Sequence, residues 1–532
     1  MNNSKYLLPT VAAIAVVIGI VLGLNLTRSE QTPSSSSKSE IAKKLNDVLQ
    51  IIEREYVDTV DKQALFEETI MDMLHKLDPH SNYIPASKLK EMTESIQGQF
   101  GGVGIRFTIL RDTLCVTNVV ENSPAYFSGI KKFDQLLLVD GDSIANVGLT
   151  NRQVQEKLKG EPGTNVSVTL LRKGELINKT IQRGLVPINS VLAAFMVDET
   201  TGYIRLSQFS MNSDKEFFNA AVGLLNKGMK NLIIDLRYNG GGVMSSAVNI
   251  ADAFLPKGVK IVSTFGKKRG EEIQYSMNAP LFEETGVVVL INQSSASASE
   301  IVAGAIQDND RGIIVGRRSF GKGLVQQDLE LIDGSSLRLT TSRYYTPTGR
   351  CIQKDYSSGY EDYVMDEYTR YEKGELYKLD SSLFVDSLKY TTPGGRTVYG
   401  GGGIMPDVFV PLDTTNSSMY YRKLQYTSAF GDFAFDYVRF NQPKWASLQQ
   451  FDKEFEVDAS LLKKFTDYAA ENFSIKPDPK GLNKSLERIK TDIKSEIARQ
   501  IWLEDGLFYI RNQTDNEFLK ALEEVRSIKL PF

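Results

Sequence analysis

Histidine is almost absent from this chain: there are two in 532 residues, His75 and His80, both far upstream in a segment of helical periodicity. A Ser-His-Asp triad would have to bring one of them across several hundred residues. Gly-x-Ser-x-Gly, the strand-to-helix turn that α/β-hydrolases build around their serine, does not occur either. Cysteine is equally scarce. Cys115 and Cys351 stand far apart with no Cys-x-x-Cys spacing, so no zinc site or disulfide framework is indicated, and two buried thiols are expected. Charge of one sign is not in excess, since 62 Lys and Arg against 66 Asp and Glu leave a formal net charge of −4. With no basic stripe to neutralise phosphates, nucleic acid is disfavoured as a partner.

What is present is Ser295-Ala296-Ser297-Ala298-Ser299-Glu300, followed by Gly321-Lys322-Gly323 and then Gln326. With histidine out of reach, a serine activated here needs an amine as its proton acceptor. Ser297 to Glu300 also reads as a capping box that satisfies free N–H groups at a helix start. The same position suits a nucleophile, because the positive helix end and the Ala298 N–H can stabilise a developing oxyanion. Gly240-Gly241-Gly242 offers a second donor, since a residue without Cβ lets backbone N–H approach a substrate closely. Lys322 is protonated at neutral pH unless burial lowers its pKa, which costs about 4 kcal/mol if it is to act there as a base. Gln326, four residues on, shares a face with Lys322 and could hold the amine.

Two rival motifs fail. Gly316 to Gly323 nearly matches a phosphate loop, but Gly323 has no hydroxyl for Mg²⁺ and a strand rather than a helix follows. Ser460 and Lys463 form a Ser-x-x-Lys in a helical tail without the companion motifs of penicillin-binding enzymes.

The length predicts several domains. Residues 6–26 are apolar apart from Pro9, Thr10 and Asn25, long enough to span a bilayer, and read as a transmembrane anchor or a signal, with an uncleaved anchor favoured over a cleaved signal. Residues 27–39, with Ser34 to Ser37, read as a flexible stalk to an exported body. Residues 40–94 read as a helical region for packing or dimerisation, with no chemistry assigned. Residues 95–185 turn to short strands and glycine turns, in an order that resembles a PDZ domain. In that family a loop, here Phe100-Gly101-Gly102-Val103-Gly104, binds a peptide's terminal carboxylate while the peptide adds a strand to the sheet edge. Phe133-Asp134 stands where many relatives have Gly-Asp. Residues 186–412 alternate apolar strands and helices, which predicts a buried, largely parallel α/β sheet with functional residues at the strands' carboxyl ends. Residues 413–532 read as a helical domain, with Leu482, Leu486, Ile489, Ile493, Ile497 and Ile501 on one face. The tail and residues 354–392 carry no recognised motif.

Leu77-Asp78-Pro79-His80-Ser81, Phe100 to Gly104, Asp235-Leu236-Arg237, Gly240-Gly241-Gly242, Ser295 to Glu300, Gly321-Lys322-Gly323-x-x-Gln326 and Gly403-Ile404-x-Pro406-Asp407, in this order, resemble the carboxyl-terminal processing proteases over roughly residues 40 to 412. The resemblance implies an α/β core of crotonase/ClpP-like ββα units with an inserted PDZ-like domain. It further implies Ser297 as nucleophile, Lys322 as base, Gln326 orienting the lysine, and oxyanion donors at Ala298 and at Gly241 or Gly242. No metal or organic cofactor is implied. Substrates would be exported polypeptides with apolar C-terminal tails, met by a membrane-anchored body outside the cytoplasm, in the periplasm; a homo-oligomer stays open. The competing readings are a catalytically silent PDZ scaffold and a crotonase-like acyl-CoA enzyme. Retention of the Ser, Lys and Gln positions argues against the first, and the PDZ-like insertion and export signal against the second.

Overall fold

A computed structural model describes residues 34–442 and 445–528. The expected anchor at 6–26 lies outside the described residues, and among these no helix is long and apolar enough to cross a membrane. The chain divides into two compact units, 1–73 and 74–532. The first contains the helix Ser34–Glu55, so the serine run read as a stalk opens a helix instead.

The second unit is organised around a six-stranded sheet in the order Val191–Met196, Thr201–Leu206, Asn231–Asp235, Gly286–Ile291, Ile313–Gly316 and Val408–Phe409. The first pair is antiparallel and the others are parallel, as the continuous apolar runs predict. Side chains alternate between two cores. Leu232, Ile234, Val287, Val289 and Ile291 face helices Ser213–Leu225, Met244–Asp252 and Ala298–Asp308. Ile233, Val288, Leu290 and Val315 face the other way, where Phe518, Ala521 and Val525 of helix Asn516–Ser527 cover them. Fully burying each such aliphatic side chain contributes about 1.5–3 kcal/mol. The end of the chain therefore completes the α/β core rather than belonging only to a separate tail.

A second sheet carries Leu324–Glu330, Ser336–Tyr345, Lys260–Gly266, Gly270–Tyr275 and the short strand Asn82–Ile84, which pairs with Ser336–Arg338. That pairing draws the upstream Asp78 to Ser81 turn onto the sheet that follows Lys322.

The PDZ-like domain has the strands Ile105–Leu110, Thr113–Val119, Gln135–Val139, Asn165–Arg172 and Glu175–Gln182, with helix Asn151–Leu158 packed on them. Residues 100–102 of the expected carboxylate loop belong to a strand, Gln99–Gly102, that pairs with Gly184–Pro187, leaving Val103 and Gly104 as the turn. Phe133 takes the left-handed φ of 73° that glycine favours, and its ring meets Phe435 of the helical domain at 5.2 Å between centroids. The aromatic in place of glycine thus accepts backbone strain of about 1–2 kcal/mol while docking two domains. Arg106 with Glu504 at 2.7 Å, Arg111 with Asp436 at 2.9 Å and the Thr108 hydroxyl with Asp432 at 3.0 Å extend this contact.

In the helical domain, Ile489, Ile493 and Ile497 are fully buried on one face of Leu486–Asn512, as their spacing predicts. Leu482 sits in the preceding helix, Pro479–Lys484, and the long helix breaks at Trp502 and Leu503.

A buried ion network fastens the last helix to the sheet. Asp235 is fully buried, yet Arg205 at 2.6 Å and Arg237 at 2.7 Å outweigh desolvation and hold its carboxyl far below the usual carboxylate range. Arg237 also pairs with Asp515 at 2.7 Å and Glu517 at 2.6 Å, and Glu517 bonds Arg317 as well. Removing one charge from such a network leaves its partners buried and uncompensated, at about 3–5 kcal/mol. Glu517→Gln is therefore expected to move the urea unfolding midpoint downward and to raise amide exchange first in Asn516–Ser527; an unchanged midpoint would show the network to be energetically neutral.

Candidate active site

Strand Gly286–Ile291 ends in the run Asn292 to Ala296, and helix Ala298–Asp308 begins directly after Ser297. The three serines of the run differ in what their hydroxyls do. Ser295 is fully buried and donates to the Leu236 carbonyl at 2.8 Å, and Ser299 is fully buried and donates to the Asn239 carbonyl at 2.9 Å. Both hold the Ser297 loop to the glycine loop. Of Ser295, Ser297 and Ser299, only Ser297 is half-buried. Its backbone, with φ 56° and ψ −113°, lies in a region that costs a non-glycine residue about 1–3 kcal/mol, strain of the kind found at functional positions.

Glu300 resolves the competition between capping and chemistry. The Ser297 N–H donates to Glu300 Oε2 at 2.8 Å, and the Glu300 N–H donates to the Ser297 carbonyl at 2.8 Å, so the helix start is satisfied through a carboxylate and a backbone carbonyl. The same Oε2 accepts the Lys322 N–H at 2.9 Å, while Oε1 accepts the Gly321 N–H at 2.7 Å and the Ser319 hydroxyl. The Ser319 hydroxyl itself accepts the Ile404 N–H at 2.6 Å, so its proton goes to Glu300. Four donors converge on a fully buried side chain, as an acceptor-only carboxylate requires. Burial pushes the Glu300 carboxyl up, and these hydrogen bonds pull against it.

The segments carrying Ser297 and Lys322 are thus tied to one oxygen atom. Among the described residues no hydrogen bond joins the Ser297 hydroxyl to the Lys322 amine. Lys322 precedes strand Leu324–Glu330 and is half-buried. Burial, followed by the Arg338 charge, lowers its pKa from 10.5, against the opposing pull of Glu300 and Asp78. The flanking glycines are required here: Gly321 has φ 88°, and a Cβ on Gly323 would lie 2.9 Å from the Gln353 N. The Gly323 N–H donates to Gln353 Oε1 at 2.8 Å.

Gln326 does not contact Lys322 by hydrogen bonding. A register shift between Val325 and Gln326 interrupts the spacing that puts them on one face, and the Gln326 amide donates to Thr340 Oγ1 at 3.2 Å. The glycine run does reach Ser297: a Cβ on Gly241 would lie 2.7 Å from the Ser297 Cβ and 2.9 Å from the Ala298 N. The Gly241 N–H, however, is spent on Asn239 Oδ1 at 2.9 Å. Gly242 pairs beside Phe209. The N–H groups of Ala298 and Gly242 have no acceptor among the described residues, which leaves both available to an oxyanion.

Residues that the sequence left without chemistry also come to this place. Asp78 accepts the Thr340 hydroxyl at 3.0 Å, and His80 Nε2 lies 2.7 Å from Tyr363 Oη. Burial first, and the Lys322 charge second, push the His80 imidazole down to about 3, so it is neutral. Tyr363, from the unread segment 354–392, packs edge-on to His80 and Phe320. The only signal for Asp78 and His80 was the Leu77 to Ser81 motif, and Tyr363 had none. Among the described residues no cluster of His, Cys, Asp or Glu could hold a metal ion.

Residues 200–361 match the model of peptidase family S41, 101–182 that of the PDZ domain, and 23–87 that of the "Activating protease CtpB N-terminal domain". Residues 420–504 match a family of unknown function. A carboxy-terminal-processing protease of Bartonella bacilliformis is 36% identical over 350 residues, covering 64% of this chain and 80% of that protein. The carboxy-terminal processing protease CtpB of Bacillus subtilis is 30% identical, covering 63% of this chain and 72% of that protein. Among solved structures, a photosystem II D1 C-terminal processing protease is 26% identical, covering 68% of this chain and 85% of that one, with a TM-score of 0.35. The chain belongs to the carboxy-terminal processing proteases, serine peptidases of family S41 that carry a PDZ domain.

Proposed function

We propose that this chain is a Ser-Lys endopeptidase that cleaves exported proteins near their C-termini. The observation that carries the reading is the shared Glu300 oxygen, which ties the one half-exposed serine of the run to the segment of a buried, pKa-lowered lysine. Ser297 attacks the peptide carbonyl as Lys322 takes its proton. The Ala298 and Gly242 N–H groups, with the positive end of helix Ala298–Asp308, stabilise the oxyanion. Lys322 then protonates the leaving amine, and water hydrolyses the ester with the lysine again as base. The Ser297 and Lys322 side chains close to hydrogen-bond distance when substrate is bound, as is common for catalytic contacts that are long in the free enzyme.

Tail recognition falls to the PDZ domain. Among the described strands Ile105–Leu110 pairs only with Thr113–Val119, so its outer edge can accept an added peptide strand beside helix Asn151–Leu158. Val103 and Gly104 would meet the terminal carboxylate. Residues 6–26 anchor the body to a membrane, with the site in the periplasm.

The direct assay incubates full-length wild type, Ser297→Ala and Lys322→Ala with an unstructured polypeptide ending in apolar residues, and with the same polypeptide ending in acidic residues. Cleavage by wild type alone, favouring the apolar tail, is expected; binding of the tail without cleavage by any variant would favour a silent scaffold. Because Lys322 acts as its free base, kcat/KM is expected to rise with pH along a limb below the 10.5 of ordinary lysine. A profile flat across that limb would rule lysine out as base. Glu300→Gln keeps the shape but offers N–H where an acceptor is needed, and is expected to lower kcat by about 100-fold or more. Wild-type kcat in that variant would remove Glu300 from the account.

A further inference from the structure

The turn Asp78-Pro79-His80-Ser81 is built around one carboxylate. Asp78 Oδ1 accepts the His80 and Ser81 N–H groups, both at 2.8 Å, and Oδ2 accepts the Ser81 hydroxyl at 2.6 Å. These are the local bonds of a tight turn and would suffice for one. The side chain nevertheless reaches further. Oδ1 also accepts the Thr340 hydroxyl at 3.0 Å, and the Ser81 hydroxyl accepts the Thr340 N–H at 3.0 Å. Thr340 Oγ1, its proton given to Asp78, accepts the Gln326 amide at 3.2 Å. The strand registers Asn82 to Arg338 and Gln326 to Thr340 place this relay on one patch of sheet.

We propose that Asp78 is a positioning residue for the site of the catalytic base: through Thr340 it fixes Gln326 in the strand that follows Lys322, and its buried charge acts on the lysine. The proposal rests on the Ser-Lys reading above and gives Gln326 a task that it does not perform by contact with the lysine.

The charges around Lys322 come from three sides. The turn contributes Asp78 and the neutral His80; helix Ala298–Asp308 contributes Glu300; strand Ser336–Tyr345 contributes Arg338, itself paired with Asp328 at 2.7 Å. Lys354 and Tyr363 face His80 from the segment beyond. Asp78 is 5% exposed, and although burial opposes its ionisation, the bonds from Ser81, His80 and Thr340 keep its carboxyl below the usual range. It is therefore an anion across the pH range in which a lysine loses its proton. An anion favours the ammonium form and a cation disfavours it. Neutralising Asp78 must lower the pH at which Lys322 is freed, and neutralising Arg338 must raise it.

The test measures kcat and KM against pH for full-length wild type, Asp78→Asn, Arg338→Gln, Thr340→Val and Thr340→Ser, with the thermal midpoint of each. The acid limb is expected to move to lower pH in Asp78→Asn and to higher pH in Arg338→Gln. Thr340→Val is expected to lose about 10- to 100-fold in kcat with KM held, and Thr340→Ser to recover it. In a Ser297→Ala background, the midpoint for modification of Lys322 by an amine-selective reagent, followed by mass spectrometry, should shift in the same two directions. A folded Asp78→Asn whose limb and modification midpoint match wild type overturns the proposal. Should Asp78→Asn fail to fold, wild-type kcat in Thr340→Val overturns it equally. Wild-type cleavage by Lys322→Ala is a different result: it removes the Ser-Lys reading itself, and the positioning role with it.

Discussion

The buried carboxylate of Glu300 is the constraint on which the site depends. It caps the helix that presents Ser297, receives the backbone of Lys322, and reaches Gly321 and Ser319 in the loop between them. Burying an anion is costly unless every lone pair is used, and here four donors use them. The same arrangement supports the strained Ser297 backbone. Stability and chemistry are therefore purchased with one group.

Around that centre the chain is tied together by links that are distant in sequence. Ser295 and Ser299 join the Ser297 loop to the glycine loop through the Leu236 and Asn239 carbonyls. Asp235, at the end of its strand, organises Arg205 and Arg237, and through Arg237 and Glu517 the last helix of the chain is fixed to the sheet. The PDZ domain in turn leans on the helical domain through Phe133 and Phe435, Arg106 and Glu504, and the Lys132 amine on the Gln500 carbonyl at the break in the long helix. A peptide on the free edge of Ile105–Leu110 would thus load a strand whose other contacts lead to the catalytic core.

Much of this was legible in the sequence because it follows from local rules. Continuous apolar runs at 232–234 and 287–291 gave parallel buried strands, and 3.6-residue spacing gave the face of Ile489, Ile493 and Ile497. The serine run marked a helix start. The illegible parts depend on what lies opposite. The four-residue spacing of Lys322 and Gln326 implied a shared face, but a bulge at Val325 and Gln326 breaks it and turns the amide to Thr340. The Asp78 to Ser81 turn belonged to the motifs of the resemblance but was assigned no chemistry, since only the pairing of Asn82–Ile84 with Ser336–Arg338 brings it to the sheet that follows the lysine. Tyr363 lay in a stretch with no motif, and Gly241 looked as good a donor as Gly242 until Asn239 claimed its N–H. The serines at 34–37 resembled a stalk by composition and open a helix.

The central claim is that Lys322 activates Ser297, and the most direct measurement is the rate at which a serine-directed phosphonate labels each serine, followed by peptide mass spectrometry across pH in wild type and Lys322→Ala. The account predicts labelling at Ser297 alone, with a rate that rises with pH as the lysine loses its proton and collapses in Lys322→Ala. Labelling of Ser295 or Ser299 in preference, or equal labelling of Ser297 in the two proteins, would contradict it.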